Sequence, residues 1–171
     1  PRSGDNTTPA NEAPLTAAWI QAARQKLREG VAAAAEADVA VTSTCSGGLD
    51  SSLVTRLLRP EVAYHVNFSD PDCNETQHAK AAVEGSGTRL LVVNAQECFN
   101  LVERLSDIVK DLDELSVGSV ILPLDDLFEH VKRRYKVVLT GTGGDELFCG
   151  YIRVLAGLGR DVPVEYAPMV R

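Results

Sequence analysis

Short apolar runs that alternate with helical segments are the feature that most constrains the fold of this chain. The runs cover residues 39–43, 62–66, 90–93 and 136–140. Each is too short for a helix and is rich in valine or leucine, as buried parallel strands are. The intervening segments place apolar residues at helical spacing. Strands that alternate with helices are joined by right-handed crossovers, so we predict an α/β fold: a parallel β-sheet with helices on both faces.

The amino-terminal residues differ in character from the rest of the chain. Residues 1–15 are polar, proline-containing and without apolar periodicity, which predicts a disordered arm or linker. Residues 16–171 are expected to form one domain. Its helices are expected from Thr16 to before Asp38, from the first glycine loop to Arg59, over 75–84 and 97–109, around 124–131, and from about Asp145.

Composition and charge exclude several classes of function. The net charge of −7 argues against a broad nucleic-acid surface, which needs clustered Lys and Arg. The four cysteines form no C-x-x-C pair, so a zinc site or a dithiol redox centre has little support. No apolar run approaches the length of a membrane span and no signal peptide is visible, so we expect a cytoplasmic protein that does not bind membranes.

A glycine-rich loop follows the first predicted strand. Residues 46–51 read SGGLDS and lead directly into a predicted helix. Adjacent glycines allow several backbone N–H groups to converge, and the helix adds its free amino-terminal amides, so the segment predicts a cradle for phosphate or pyrophosphate. A carboxylate in that cradle, Asp50, repels phosphate unless a cation lies between them. We therefore predict Mg²⁺, which takes oxygen ligands from carboxylates and phosphates.

A second glycine-rich loop follows the last predicted strand. Residues 140–151 read TGTGGDELFCGY and again open a helix. The carboxyl ends of parallel strands share one edge of the sheet, so Asp145 is expected to reach the same edge as Asp50. Two carboxylates and the phosphates then make a sensible magnesium site. The first loop is not the G-x-x-x-x-G-K-[ST] loop of kinase-like NTPases.

With these two loops the sequence resembles the synthetase domain of the asparagine synthetase family, which includes beta-lactam synthetase. Residues 46–51 match the pyrophosphate loop of the PP-loop ATP pyrophosphatases, and residues 137–151 resemble the family's second block, usually S-G-E-G-x-D-E-L-F-G-G-Y. The likeness runs from about Trp19 to Arg153. It implies a Rossmann-like PP-loop fold, related to the adenine nucleotide alpha hydrolases, and cleavage of ATP between the α and β phosphates.

The resemblance also implies roles for individual residues. Asp50 and Asp145 would hold magnesium. Thr142 and Arg153 join Asp145 as candidate catalytic residues. The residues that would bind the nucleotide or its pyrophosphate are Val41, Ser43, Ser46, Gly47, Gly48, Asp50, Ser51, Val66, Thr140 and Gly141, of which Val41 and Val66 are expected near the adenine.

This sequence departs from the family at positions that matter for chemistry. The family's second block has a glutamate where this chain has Thr142, whose hydroxyl is no base near neutral pH, so another carboxylate such as Asp111, Asp113 or Glu114 is a candidate. The family's transition-state lysine lies in a carboxyl-terminal region that this sequence does not match. Arg153, Lys136, or a partner subunit in an oligomer is expected to supply that cation.

Three functions follow as hypotheses. The first is an AMP- and pyrophosphate-forming ligase that adenylates a small-molecule carboxylate and transfers it to ammonia or an amine, with a glutaminase partner as one source of ammonia. The second is an ATP- or AMP-binding module that is catalytically incomplete alone and works with a partner subunit or domain. The third, a tRNA-modifying PP-loop enzyme, is disfavoured by the acidic charge and the missing C-x-x-C pair.

Overall fold

A parallel sheet of four strands lies at the centre of the described part of the chain. The computed structural model describes residues 16–68, 70, 74–95, 101–112, 121–148 and 150–151, so the predicted arm at 1–15 lies outside it. The strands are β1 (Val41–Thr44), β2 (Val62–Asn67), β3 (Arg89–Asn94) and β4 (Val137–Leu139). They pair in the order β3-β2-β1-β4, and every pairing is parallel.

Helices connect the strands and cover both faces of this sheet. They are α1 (Ala17–Ala34), α2 (Leu49–Leu58), α3 (Thr76–Val83), α4 (Leu101–Leu112), α5 (Ile121–Val131) and α6 (Gly144–Phe148). Helix α2 packs against β1 and contacts both α1 and α3, whereas α5 packs against β2 and β3 and contacts α4. The predicted α/β class is confirmed.

Alternating side chains of β2 separate the two halves of the core. Val62 and Tyr64 point to the α5 side, where they pack with Leu127. Ala63 points to the other side and packs with Ala79 of α3. The period of two along a strand therefore builds a large-residue core on one face and a small-residue core on the other.

The element boundaries differ from the sequence predictions where the chain leaves the sheet. Val39 is 46% exposed, and β1 begins only at Val41, which pairs with Val137 of β4. Helix α4 continues to Leu112, beyond the predicted end at residue 109, so Asp111 lies in its last turn. Apolar character alone extended the predicted strand, whereas the hydrogen-bonded pairing decides where it starts.

The strand order reverses between β1 and β4. The chain moves outward from β1 to β2 and β3, and then returns to pair β4 with the free side of β1. Connections that leave two such neighbouring strands in opposite directions open a crevice at their carboxyl ends. The two glycine-rich loops follow these two strands.

The first helix lies at the surface of the described part of the chain. None of the 18 residues of α1 is buried, and Trp19 and Ile20 are exposed.

Among the helices in the described ranges, none has both the length and the apolar character needed to cross a membrane. The cytoplasmic location stays a prediction.

We predict that Leu127→Ala lowers the free energy of unfolding by about 2–5 kcal/mol, because it leaves a cavity in the core between α5 and β2. Leu127 is 2% exposed. Leu147→Ala is the matched control, since Leu147 is 74% exposed. We expect it to change stability by no more than about 0.5 kcal/mol in the same denaturant titration. Equal effects of the two variants would contradict the described core.

Candidate functional site

The first glycine loop is held in place by two serine hydroxyls. The N–H of Ser46 donates to Ser51 Oγ at 3.0 Å, and the hydroxyls of Ser46 and Ser51 lie 2.8 Å apart. The N–H of Gly48 donates to Ser46 Oγ at 3.2 Å. These bonds close the loop onto the first turn of α2 and fix its conformation without a ligand.

The start of α2 is suited to an anion. Gly48 is its N-cap residue and provides no side-chain cap. The first amides of a helix have no partner within the helix, and they carry the positive end of its dipole. An anionic group in front of α2 would therefore meet several free N–H donors.

The second glycine loop lies directly against this helix start. A Cβ on Gly141 would lie 2.6 Å from the amide nitrogen of Ser51, and a Cβ on Gly144 would overlap the carboxylate of Asp50. At Gly141 only glycine permits the approach, because the neighbouring atoms belong to the backbone, whereas at Gly144 they belong to the side chain of Asp50. The loops after β1 and β4 thus meet at the crevice where the strand order reverses.

The two predicted metal-binding carboxylates, Asp50 and Asp145, have different surroundings. The Asp50 carboxylate touches Gly144, the residue before Asp145, whereas the Asp145 carboxylate lies against Gly150. Asp50 lines the cavity between the loops and α5, and Asp145 does not. Within the described ranges no three His, Cys, Asp or Glu side chains gather into a metal site of their own. So few carboxylates suit Mg²⁺ better than a metal whose ligands all come from the protein. Mg²⁺ is commonly bound through one or two carboxylates plus substrate phosphates and water.

Two adjoining cavities lie at the carboxyl edge of the sheet. The larger, about 500 Å³, lies between the loops and α5. The smaller, about 280 Å³, is mostly apolar and lies over the end of β2. Thr44, Ser46 and Leu124 line both, so together they form one elongated cleft. The more polar end of this cleft adjoins the glycine loops, the more apolar end lies over β2, and α5 lines both ends.

Most of the predicted site residues come together in this cleft. Those that line the larger cavity are Ser46, Gly48, Asp50, Ser51, Thr140, Gly141 and Thr142. Val66 lines the smaller cavity. Gly47 has φ +97° and lies against the first turn of α3, where a Cβ would be 2.8 Å from Ala79 N.

Other candidates are placed away from it. Val41 begins β1 and so lies at the opposite end of that strand from the loop. Ser43 is fully buried, and its hydroxyl lies 2.9 Å from Thr55 Oγ1. Neither residue lines the two cavities. Lys136 precedes β4 at the amino end, away from the loops. Arg153 lies outside the described residues.

The sequence motifs did not point to several residues of the cleft. Phe128 of α5 lines the larger cavity, and His65 and Glu75 line the smaller one. Burial lowers the pKa of His65, although its hydrogen bond to the Cys45 carbonyl and the charge of Glu75 act in the opposite direction. The position of His65 near the end of a predicted strand was the one available signal.

Sequence comparison assigns this arrangement to a family. The family model for asparagine synthase matches residues 22–168, which include both glycine loops. The chain belongs to the asparagine synthase family.

Curated relatives in this family are much longer than this chain. A Mycobacterium tuberculosis protein described as a glutamine-hydrolyzing asparagine synthetase is 35% identical over 131 residues, covering 73% of this chain and 20% of the relative. Asparagine synthetase [glutamine-hydrolyzing] 1 of Bacillus subtilis is 28% identical over 138 residues, covering 77% and 21%. The chain thus spans about a fifth of the length of these relatives.

Solved structures show a more distant likeness. An NH3-dependent NAD synthetase from Campylobacter jejuni superposes with a TM-score of 0.47 and 17% identity, covering 77% of this chain and 60% of that one. An NMN synthetase from Francisella tularensis gives a TM-score of 0.48 and 14% identity, covering 77% and 58%.

We predict that Gly141→Ala lowers the free energy of unfolding by about 1–3 kcal/mol, because the new methyl group meets backbone that cannot move aside like a side chain. Gly30→Ala is the control, since Gly30 lies inside α1 with nothing within 4 Å of an added Cβ. That change is expected to raise stability by about 0.5–1 kcal/mol through helix propensity. A Gly141→Ala protein as stable as wild type would refute the loop contact.

We further predict that acid weakens the fold through His65. Its pKa in the folded protein is lowered by burial, so the unfolded chain binds the proton more readily. The free energy of unfolding is therefore expected to fall as the pH drops below about 6.5 and to level off below the folded pKa. Denaturant titrations of wild type and His65→Asn between pH 7.5 and 5.5 check this, and parallel slopes would contradict it.

Proposed function

We propose that this domain binds MgATP in the cleft, with the β and γ phosphates between the two glycine loops. The observation that carries the proposal is the meeting of the two loops: the backbone of Gly141 lies against Ser51, and Gly144 lies against the Asp50 carboxylate. Convergent amides and the free start of α2 supply donors for phosphate oxygens. The adjoining apolar cavity, lined by Val66, is then the place for the adenine base.

Two carboxylates are the proposed ligands of the metal. Asp50 and Asp145 would hold Mg²⁺, which neutralises phosphate charge when bound. Ser46 and Ser51 hold the loop closed through their hydroxyls, so its amides need little reorganisation when the nucleotide arrives.

The reaction we propose is the formation of an amide by way of an acyl-adenylate. A carboxylate oxygen attacks the α-phosphorus, and the bond from that phosphorus to the oxygen bridging it to the β-phosphorus breaks. The pyrophosphate that leaves is the group bound by the glycine loops. An amine or ammonia nitrogen then attacks the acyl carbon, AMP leaves, and the nitrogen loses a proton. Membership of the asparagine synthase family supports this reaction class. A glutaminase partner is the source of ammonia that the names of the relatives suggest.

A second candidate function is a nucleotide-binding module that needs a partner for catalysis. Thr142 favours it: the Thr140 hydroxyl lies 3.1 Å from the Thr142 hydroxyl, and a threonine hydroxyl cannot accept a proton from an attacking amine near neutral pH. A partner would then supply the base. The cation that faces the α phosphate would be Arg153 of this chain or a cationic residue of the partner.

Pyrophosphate exchange separates the two functions. Labelled pyrophosphate is expected to enter ATP when the protein, Mg²⁺ and the right carboxylate are present, because adenylation is reversible. A panel of amino acids with side-chain carboxylates is the first to test. ATP binding without exchange for any carboxylate supports the module, and an absence of ATP binding refutes both functions.

We predict that Asp50→Asn lowers the affinity for MgATP by about tenfold or more and leaves the affinity for AMP nearly unchanged. The substitution keeps the shape of the side chain but removes the charge that holds the metal beside the β and γ phosphates. Asp38→Asn is the matched control, since Asp38 is exposed and precedes β1 at the far end of the sheet. Calorimetric titration measures the affinities of wild type and both variants for MgATP and for AMP. Equal losses for MgATP and AMP would contradict the placement of the metal.

A further inference from the structure

We propose that His65 is a positioning residue, which holds the peptide group at the end of β1 and thereby sets the direction in which the phosphate loop leaves the sheet. The inference rests on the proposed function, because it assigns His65 to the loop that would receive the phosphates. His65 belongs to neither glycine motif and lies on the neighbouring strand, β2.

The imidazole is buried with a partner at each nitrogen. His65 is 2% exposed; Nδ1 lies 2.9 Å from the carbonyl oxygen of Cys45, and Nε2 lies 3.1 Å from Thr76 Oγ1. A carbonyl oxygen only accepts hydrogen bonds, so Nδ1 carries the proton. In the neutral ring Nε2 is an acceptor, so the single proton of the Thr76 hydroxyl goes to Nε2 in preference to Asn67 Oδ1, which lies 3.2 Å from that hydroxyl. The lowered pKa of His65 agrees with a neutral ring near pH 7.

The peptide group between Cys45 and Ser46 is hydrogen-bonded at both its carbonyl oxygen and its N–H. The Cys45 carbonyl and the Ser46 N–H belong to one rigid plane. His65 donates a hydrogen bond to the carbonyl oxygen of Cys45 in this plane. The N–H of Ser46 in the same plane donates to Ser51 Oγ at 3.0 Å. Cys45 itself ends the pairing with β2, since its N–H donates to the Tyr64 carbonyl at 2.8 Å. This peptide group therefore connects the strand to the loop, and both its carbonyl oxygen and its N–H are hydrogen-bonded.

The second nitrogen of His65 connects the same loop to α3. Thr76 is the first residue of α3. The first turn of that helix supports Gly47, because a Cβ there would lie 3.1 Å from the Glu75 carbonyl oxygen and 2.8 Å from Ala79 N. His65 thus joins the two supports of the loop, the end of β1 and the start of α3.

Two variants separate the Nδ1 bond from the rest of the side chain. The amide nitrogen of asparagine reaches about as far as Nδ1, so His65→Asn keeps a donor for the Cys45 carbonyl. The amide of glutamine reaches about as far as Nε2, so His65→Gln keeps the contact with Thr76 and leaves that buried carbonyl without a donor. Calorimetric titration with MgATP and with AMP, at pH 7.5, gives the two affinities of each protein.

We expect His65→Asn to bind MgATP within about threefold of wild type and His65→Gln to bind it about tenfold more weakly, a difference of about 1.4 kcal/mol. AMP lacks the β and γ phosphates, so its affinity is expected to stay within about threefold in both variants. Hydrogen exchange at the Ser46 amide is expected to be faster in His65→Gln than in His65→Asn.

The outcomes distinguish this inference from the proposed function. Wild-type protein that binds no MgATP refutes the proposed function, and the exchange rate of the Ser46 amide then decides whether His65 holds the loop. Wild-type protein that binds MgATP, with equal MgATP affinities in the two variants, overturns the role of His65 alone. Parallel losses for MgATP and AMP in His65→Gln also overturn it, because they indicate a general disturbance of the cleft.

Discussion

The close approach of two backbone segments is the constraint on which the candidate site depends. Gly141 lies so near Ser51 that any side chain would collide with the amide nitrogen there. This contact exists only if β4 pairs with β1, because that pairing brings the two loops to neighbouring strand ends. The strand order and the site are therefore two consequences of one arrangement. A chain that paired β4 with β3 would have the same motifs and no cleft between them.

The parts of the fold that depend on local sequence were predictable from the residues. A β-branched run such as Val41–Thr44 has few alternatives to a buried strand, and the glycines of residues 46–51 mark the turn into a helix. The boundaries were less accurate, as Val39 and Asp111 show, because they depend on pairing partners and helix propagation. Most cleft residues were predictable for the same local reason: they follow the strands directly.

The rest of the cleft depends on contacts between distant segments. Phe128 reaches it from α5, and no short-range pattern tells where that helix crosses the sheet. Val41 and Ser43 were expected to bind the nucleotide because of the resemblance to the family, but a resemblance does not tell which end of a strand or which face a side chain occupies. Ser43 instead hydrogen-bonds Thr55 under α2.

The small residues on one face of β2 have a consequence for the shape of the cleft. Ala63 of β2 and Ala79 of α3 are completely buried in the cluster between the sheet and α3, and each contributes only a methyl group there. The first turn of α3 in turn supports Gly47. The size of the side chains at Ala63 and Ala79 therefore affects how closely α3 approaches the sheet, and with it the position of the first glycine loop. Relatives that carry bulkier residues at these two positions would have a shallower or tilted floor, even with an unchanged glycine motif.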